Sequence, residues 1–140
     1  MLHTIVRSTL ITLLLLTGMS ACIRKPAQLP TASVERATPI ADSPAAGICA
    51  EHEGSLVSVT IFPDIPDPRC SLVRPDQRLR VINMRSENIA VNLARLRAEI
   101  SPGEDYTFVE PFGALLMPGV HRFDVSPCCG AELVLGTEAQ

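Results

Sequence analysis

The sequence predicts an all-β domain, and three observations carry that prediction. From residue 55 onward apolar residues recur at period two in short runs. Turns bearing Pro, Gly or Asp separate these runs every ten residues or so. No long segment shows the 3.6-residue apolar spacing of an amphipathic helix. About eight short strands spaced in this way imply a sandwich or a small barrel.

The strands follow in order. "SLVSVTIF" puts Val57, Val59 and Ile61 on one face, and "PDIPDP" ends that strand because proline cannot donate to a ladder. "RCSLV" and "RLRVINM" come next, the latter with Leu79 and Val81 on one side. "NIAVNL" alternates Ile89, Val91 and Leu93 against Ala90 and Asn92, and "RLRAEI" sets Leu96, Ala98 and Ile100 against Arg95, Arg97 and Glu99. The apolar count of 88–100 would suit a helix, but strict alternation and β-branched content favour strands. "SPGED" is a turn, with Pro102 fixing φ and Gly103 free to take a positive φ. Strands are expected at "YTFVE", "FGALLM", "VHRFDV" and "AELVL", with a second turn at Pro118–Gly119.

The first third of the chain reads as an address. A polar start with Arg7 leads into "LITLLLLTG", too short for the roughly 20 residues of a membrane-spanning helix, so residues 1–21 read as an export signal. The run closes on "TGMSAC", which resembles the lipobox of bacterial lipoproteins, with Met19 where that pattern more often has Leu. The resemblance implies cleavage before Cys22 and acylation of Cys22. Each buried methylene contributes about 0.8 kcal/mol, so two or three acyl chains hold a protein on a bilayer almost permanently. Ile23 after the cysteine resembles the outer-membrane class of Gram-negative lipoproteins, which would put the domain in the cell envelope, facing the periplasm. Residues 22–47 carry four prolines and no apolar period, and are expected to form a lipidated, disordered Pro/Ala-rich tether. Residues 48–140 are then one domain with a modest core.

Residues 75–135 resemble the cupredoxin-like sandwich. The marks are the strand Val81–Asn83 ending in Asn, the Pro102–Gly103 turn before an alternating strand with Tyr106 and Phe108, and the Pro118–Gly119 turn before a strand with Phe123. The resemblance implies a Greek-key β-sandwich. It also implies where copper ligands would stand: a His near Asn88 or Ile89, a Cys near Val125, and a second His in the last loop with a Met nearby. Blue copper takes two imidazoles, one thiolate and a weak axial ligand, a mixed set that suits both oxidation states. Asn88 and Ile89 cannot supply the imidazole, Val125 has no thiol, and no His or Met follows Cys129. The expectation is therefore a cupredoxin-like module with no metal and no cofactor.

With Cys22 spent on lipid, Cys49, Cys70, Cys128 and Cys129 remain, an even number in a compartment where disulfides persist. Adjacent α-carbons across a trans peptide stand about 3.8 Å apart, below the usual window of about 4.4–6.8 Å for bridged residues. Cys128 and Cys129 are therefore each expected to pair with Cys49 or Cys70, in an order the sequence leaves open. Two such bridges would brace the start of the domain onto the final hairpin, at about 2–4 kcal/mol each. The alternative is a periplasmic copper-binding or thiol-redox accessory protein using Cys49, His52, Cys128 and Cys129. His121, in a strand beside Arg122, reads as a packed or surface histidine.

The formal charge of −3 provides no basic field for nucleic acid. There is no phosphate-binding Gly loop, nucleophile elbow or triad, so the chain is not expected to be an enzyme. Arg78 and Arg80 share one strand face, and Arg95 and Arg97 another. Were those strands neighbours, the four arginines would form a docking face for an acidic envelope protein, a glycan or an anionic lipid headgroup. The competing reading pairs arginines with Glu99, Glu110 and Glu132 on a wet sheet face. The expected function is that of a membrane-anchored envelope lipoprotein whose metal-free sandwich acts as a binding or assembly module.

Overall fold

The structure, a computed structural model, describes residues 35–136. The expected signal peptide, lipobox and Cys22 lie outside the described residues. No helix among the described residues is long and apolar enough to cross a membrane.

Two sheets pack face to face. The four-stranded sheet has the order β3 (Pro66–Asp67), β2 (Leu56–Ile61), β5 (Arg78–Asn83), β8 (Asp105–Thr107). The six-stranded sheet runs β1 (Ala50–Glu51), β4 (Cys70–Val73), β10 (Cys129–Leu135), β9 (Gly119–Ser126), β6 (Ile89–Leu93), β7 (Leu96–Ile100). Strands β2 and β5 are parallel, as are β4 and β10, whereas β9–β10 and β6–β7 are antiparallel hairpins. The chain passes from one sheet to the other between β3 and β4, at Pro68–Arg69. The fold is an all-β sandwich, the first of the two architectures, sandwich or small barrel, that the strand pattern predicts.

The period-two residues supply the core. Val57, Val59 and Ile61 of β2 and Leu79 and Val81 of β5 are fully buried, and face Ile89, Val91, Phe123 and Leu133 from the other sheet. Burying a side chain of this size contributes roughly 1.5–3 kcal/mol, so the two inner faces dominate the favourable side of folding. The β6–β7 hairpin turns over two residues between the paired Leu93 and Leu96, and Ala94 there takes a positive φ of 50°.

Three local expectations change. "FGALLM" is not a strand: Phe112–Leu115 form a one-turn helix, α1, in which Leu116 N–H donates to the Phe112 carbonyl at 2.8 Å. A single turn lets Phe112, Leu115 and Leu116 all enter the core, where an extended chain would point alternate residues outward. Strands β1 and β3 are two residues long, below what period-two patterning can reveal. Pro66 is tolerated because β3 lies at a sheet edge.

The third change concerns the tether. From residue 35 the chain is docked as a strap along the sandwich. Ala37 N–H donates to the Leu115 carbonyl at 2.8 Å, Met117 N–H to Ala37 at 2.9 Å, and Ile40 N–H to Val120 at 2.8 Å. Ala37 bridges Leu116 and Ala41 bridges Val120. Gly119 makes room for this: with φ at +131°, any Cβ there would sit 2.6 Å from the Pro39 ring. Strand β6 pairs with β9 only at Asp124–Ser126, which leaves the edge of β9 beyond that point open to the strap. Several of the strap's backbone groups are thus paired without any apolar period of its own, which is why composition alone reads it as disordered.

Candidate functional site

The sandwich has two distinct ends. Its upper end gathers the loops 62–65, 84–88 and 101–104 with the turn at 127–128, all at the same end of their strands by register. Asn83, the last residue of β5 and fully buried, holds this end together. Its Nδ2 donates to the carbonyls of Glu87 at 2.9 Å and Ile100 at 3.0 Å, while its Oδ1 accepts from Arg85 N–H at 2.9 Å. The Asn83 backbone also donates to Glu104 and accepts from Gly103, both at 2.8 Å. One short amide side chain therefore fixes two loops. Met84 N–H donates to Ile61 at 3.0 Å, and Phe62 N–H to Ile65 at 3.3 Å, which brings those loops to one place. Phe62 (41%), Ile65 (42%) and Met84 (54%) are exposed there.

The lower end receives the strap, and Glu132 on β10 fastens the strap's far part. Its Oε2 accepts from Ala46 N–H at 2.9 Å and its Oε1 from Ala45 N–H at 3.2 Å. The sequence reading gave Glu132 to an arginine instead. A carboxylate at an outward position of "AELVL" is the signal the sequence offers, and it names no partner.

The cysteines pair differently from the expectation. Cys49 bridges Cys70, with α-carbons 4.5 Å apart, and Cys128 bridges Cys129 at 3.8 Å. The reason lies in register: Cys70 stands opposite Glu132, so the 128–129 turn is about 10 Å further along β10. Cys49 arrives beside Cys70 because β1 pairs with β4, Ala50 opposite Ser71. The start of the domain is thus tied to β4 and not to the final hairpin, which is joined to β4 by its ladder. Closing a loop with a sequence separation of 21 contributes about 3 kcal/mol.

This arrangement also disperses the alternative ligand set of Cys49, His52, Cys128 and Cys129. Among the described residues no three His, Cys, Asp or Glu side chains form a group able to hold a metal ion. His52 Nε2 pairs with the hydroxyl of buried Ser71 at 2.9 Å, and burial holds its pKa below the usual value of 6.5. Fully buried Gln77, which the sequence reading passed over, secures the same loop by donating to His52 at 3.0 Å and Gly54 at 2.9 Å. His121 is buried, with Nε2 2.6 Å from the Met117 carbonyl oxygen, which decides between the packed and surface placements that its sequence context leaves open. The positions implied for blue copper do not fit the metal either. Asn88 and Ile89 border Ser126 and Pro127 at the upper end, with no imidazole or thiolate there, and the connection from β9 to β10 spans only Pro127 and Cys128.

The arginine face does not assemble. Arg78 and Arg80 lie in the four-stranded sheet, whereas Arg97 and the turn residue Arg95 belong to the six-stranded one. Arg80 holds Asp105 through two bonds, at 2.9 and 3.0 Å, and this contact raises the arginine's pKa and lowers the carboxyl's. Arg95 contacts Glu110, and Arg97 lies 3.4 Å from Glu99. Both pairs are those of the competing reading. A separate cleft of about 400 Å³ opens between the strap and β10, with Arg69, Arg122, Cys129 and Glu132 in its wall.

Strand order and two-sheet packing define an all-β sandwich of one four-stranded and one six-stranded sheet. No family model matches the chain, and no curated protein matches it. Solved structures similar to it include the following distant ones. A copper-binding protein in its apo form is 12% identical over 63% of this chain and 97% of its own, with a TM-score of 0.45. An amicyanin variant in its reduced Cu(I) form is 15% identical over 69% of this chain and 94% of its own, at 0.47. The metal-binding domain of the Streptococcus pneumoniae Cu(I)-exporting P-type ATPase is 10% identical over 65% of this chain and all of its own, at 0.46.

Proposed function

We propose that the chain is a lipoprotein of the bacterial envelope, acylated at Cys22, whose sandwich binds a protein partner through its upper end. In a Gram-negative cell it would stand on the outer membrane facing the periplasm. The observation that carries this reading is the cluster of three exposed apolar side chains, Phe62, Ile65 and Met84, on loops that backbone hydrogen bonds hold together at the upper end. The chain itself enters at the lower end, where Ala37 is bonded to Leu115 and Met117. Between Cys22 and the strap the residues 23–34 can span at most about 40 Å, so the anchor sets how far that end can reach. No catalytic step and no metal has a part in this reading.

Two experiments test it. Metabolic labelling with an alkyne fatty acid should mark the wild-type chain and leave Cys22→Ser unmarked; a labelled Cys22→Ser, or an unlabelled wild type, removes the anchor. A photo-crosslinker at position 84 should yield one discrete adduct in native membranes that weakens in Ile65→Asp. The same probe at Arg78, on the sheet face, should yield none. Equal adducts from both positions would remove the upper end as the contact surface.

A further inference from the structure

We infer that Cys128–Cys129 is a thiol–disulfide exchange site for small thiols carrying a carboxylate, with Cys128 the sulfur attacked and Cys129 the sulfur released. This goes beyond the partner-binding reading and depends on neither the anchor nor the partner.

Access separates the two bridges. Cys70 is 2% exposed and Cys49 only partly exposed. Cys128 is exposed at the tip of the β9–β10 turn, where its N–H donates to the Val125 carbonyl at 3.0 Å. Cys129 is half-buried and packs against the core. An incoming thiolate therefore meets Cys128 Sγ first. Its electron pair forms the new S–S bond as the Cys128–Cys129 bond breaks, leaving a thiolate on Cys129 that takes a proton from water. A second thiol then attacks the small molecule's sulfur in the mixed disulfide and releases Cys128. Two thiols become one disulfide, the cysteine pair becomes two thiols, and two electrons have moved.

The neighbouring cleft supplies the selectivity. Gly130 follows Cys129, and a Cβ there would lie 2.7 Å from Arg122 Nε, so the bare residue is what lets that guanidinium lie across β10. Arg122 also holds Asp124 at 3.0 Å. Glu132, in the same wall, has both oxygens engaged by the Ala45 and Ala46 amides, and Asp64 lies in the lining as well. Arg69, in the same lining, takes part in none of the ion pairs among the described residues and is left to receive an anion. Cations beside a leaving thiolate lower its pKa, and a sulfur of lower pKa leaves faster.

The test uses the full chain in detergent, with glutathione as the anionic probe and 2-mercaptoethanol as the neutral one. Reactions are quenched with acid and alkylated, and the peptides are weighed. The expected result is a glutathione adduct on Cys128 with Cys49–Cys70 intact. Rates per thiolate should favour glutathione by about ten-fold, the value of one partly screened ion pair. That preference should shrink in 0.5 M salt and in Arg69→Gln. An adduct on Cys129, parallel opening of Cys49–Cys70, no adduct on the folded chain, or a preference under three-fold that salt leaves unchanged each overturns the inference. The salt arm needs no variant, so a misfolded Arg69→Gln cannot rescue it.

Discussion

Replacing Glu132 by Ala should release the far part of the strap while leaving the sandwich folded. The carboxylate accepts two backbone N–H groups, at 2.9 and 3.2 Å, and both bonds are charge-assisted. Hydrogen bonds to charged groups contribute about 1.5–3 kcal/mol each, and partial solvent exposure puts these at the lower end, so the clasp stabilises the docked strap by about 3 kcal/mol. At 1.36 kcal/mol per decade, that loss multiplies the open population roughly a hundred-fold. Hydrogen exchange followed by NMR reads it directly. The amides of Ala45 and Ala46 should exchange about a hundred times faster in Glu132→Ala, with those of Val59, Val81 and Leu133 unchanged, since local opening leaves the core ladders intact. Glu132→Gln, which keeps one neutral acceptor, should fall between. If Ala45 and Ala46 exchange at wild-type rates, the carboxylate does not hold the strap. If all amides accelerate together, Glu132 supports the whole sandwich and the strap is not an independent unit.

Three further outcomes follow from the same geometry. Ala94→Gly should stabilise the domain by about 1 kcal/mol in urea titration, because Ala94 holds a φ of 50° that glycine adopts freely; a destabilised variant would show that the side chain packs. Asn83→Ala should cost about 3 kcal/mol in the same assay, since three side-chain hydrogen bonds at a fully buried position are lost; a loss below 1 kcal/mol would contradict its role in fixing the upper loops. His52 is held below 6.5 by burial, so its contribution is full above pH 6.5 and is lost as pH falls through its lower folded pKa. The melting temperature should therefore decline between pH 6.5 and 5 more steeply in wild type than in His52→Asn, and matching slopes would refute this.

Much of the fold was legible because its signal is local. Period-two burial in β2, β5, β6, β7, β9 and β10 follows from alternating side-chain direction, and the strands lie within a residue or two of their apolar runs. What was not legible depends on partners distant in sequence. The strap owes its order to the open edge of β9 and to Glu132, some 86 residues away from Ala46, so nothing in "ATPIADSPAA" could announce it. The disulfide pairing turned on register: the sequence shows four cysteines, but only the β4–β10 ladder shows that Cys70 faces Glu132 and not the 128–129 turn. The arginine face failed for a related reason, because adjacency in sequence said nothing about which sheet each strand joins. Helix α1 was missed because its four residues leave no room for a helical period.

The poor fit to copper also goes deeper than missing ligands. A blue site needs two imidazoles and a thiolate around one ion. In this chain the strand expected to deliver the thiolate, β9, ends at Ser126, and β10 begins at Cys129, so two residues span the connection that must also bring an imidazole and an axial ligand. The turn is already closed by the bond from Cys128 N–H to Val125. Restoring the side chains alone should therefore fail. The double variant Asn88→His, Val125→Cys places one imidazole and one thiolate at the upper end but no second imidazole, and Cu(II) titration should produce no blue charge-transfer band. A lengthened β9–β10 loop carrying a His, added to those two substitutions, is the smallest change expected to produce one. A blue band from the double variant by itself would show that the two-residue connection is no barrier, and that the backbone already holds a site which only side chains had emptied.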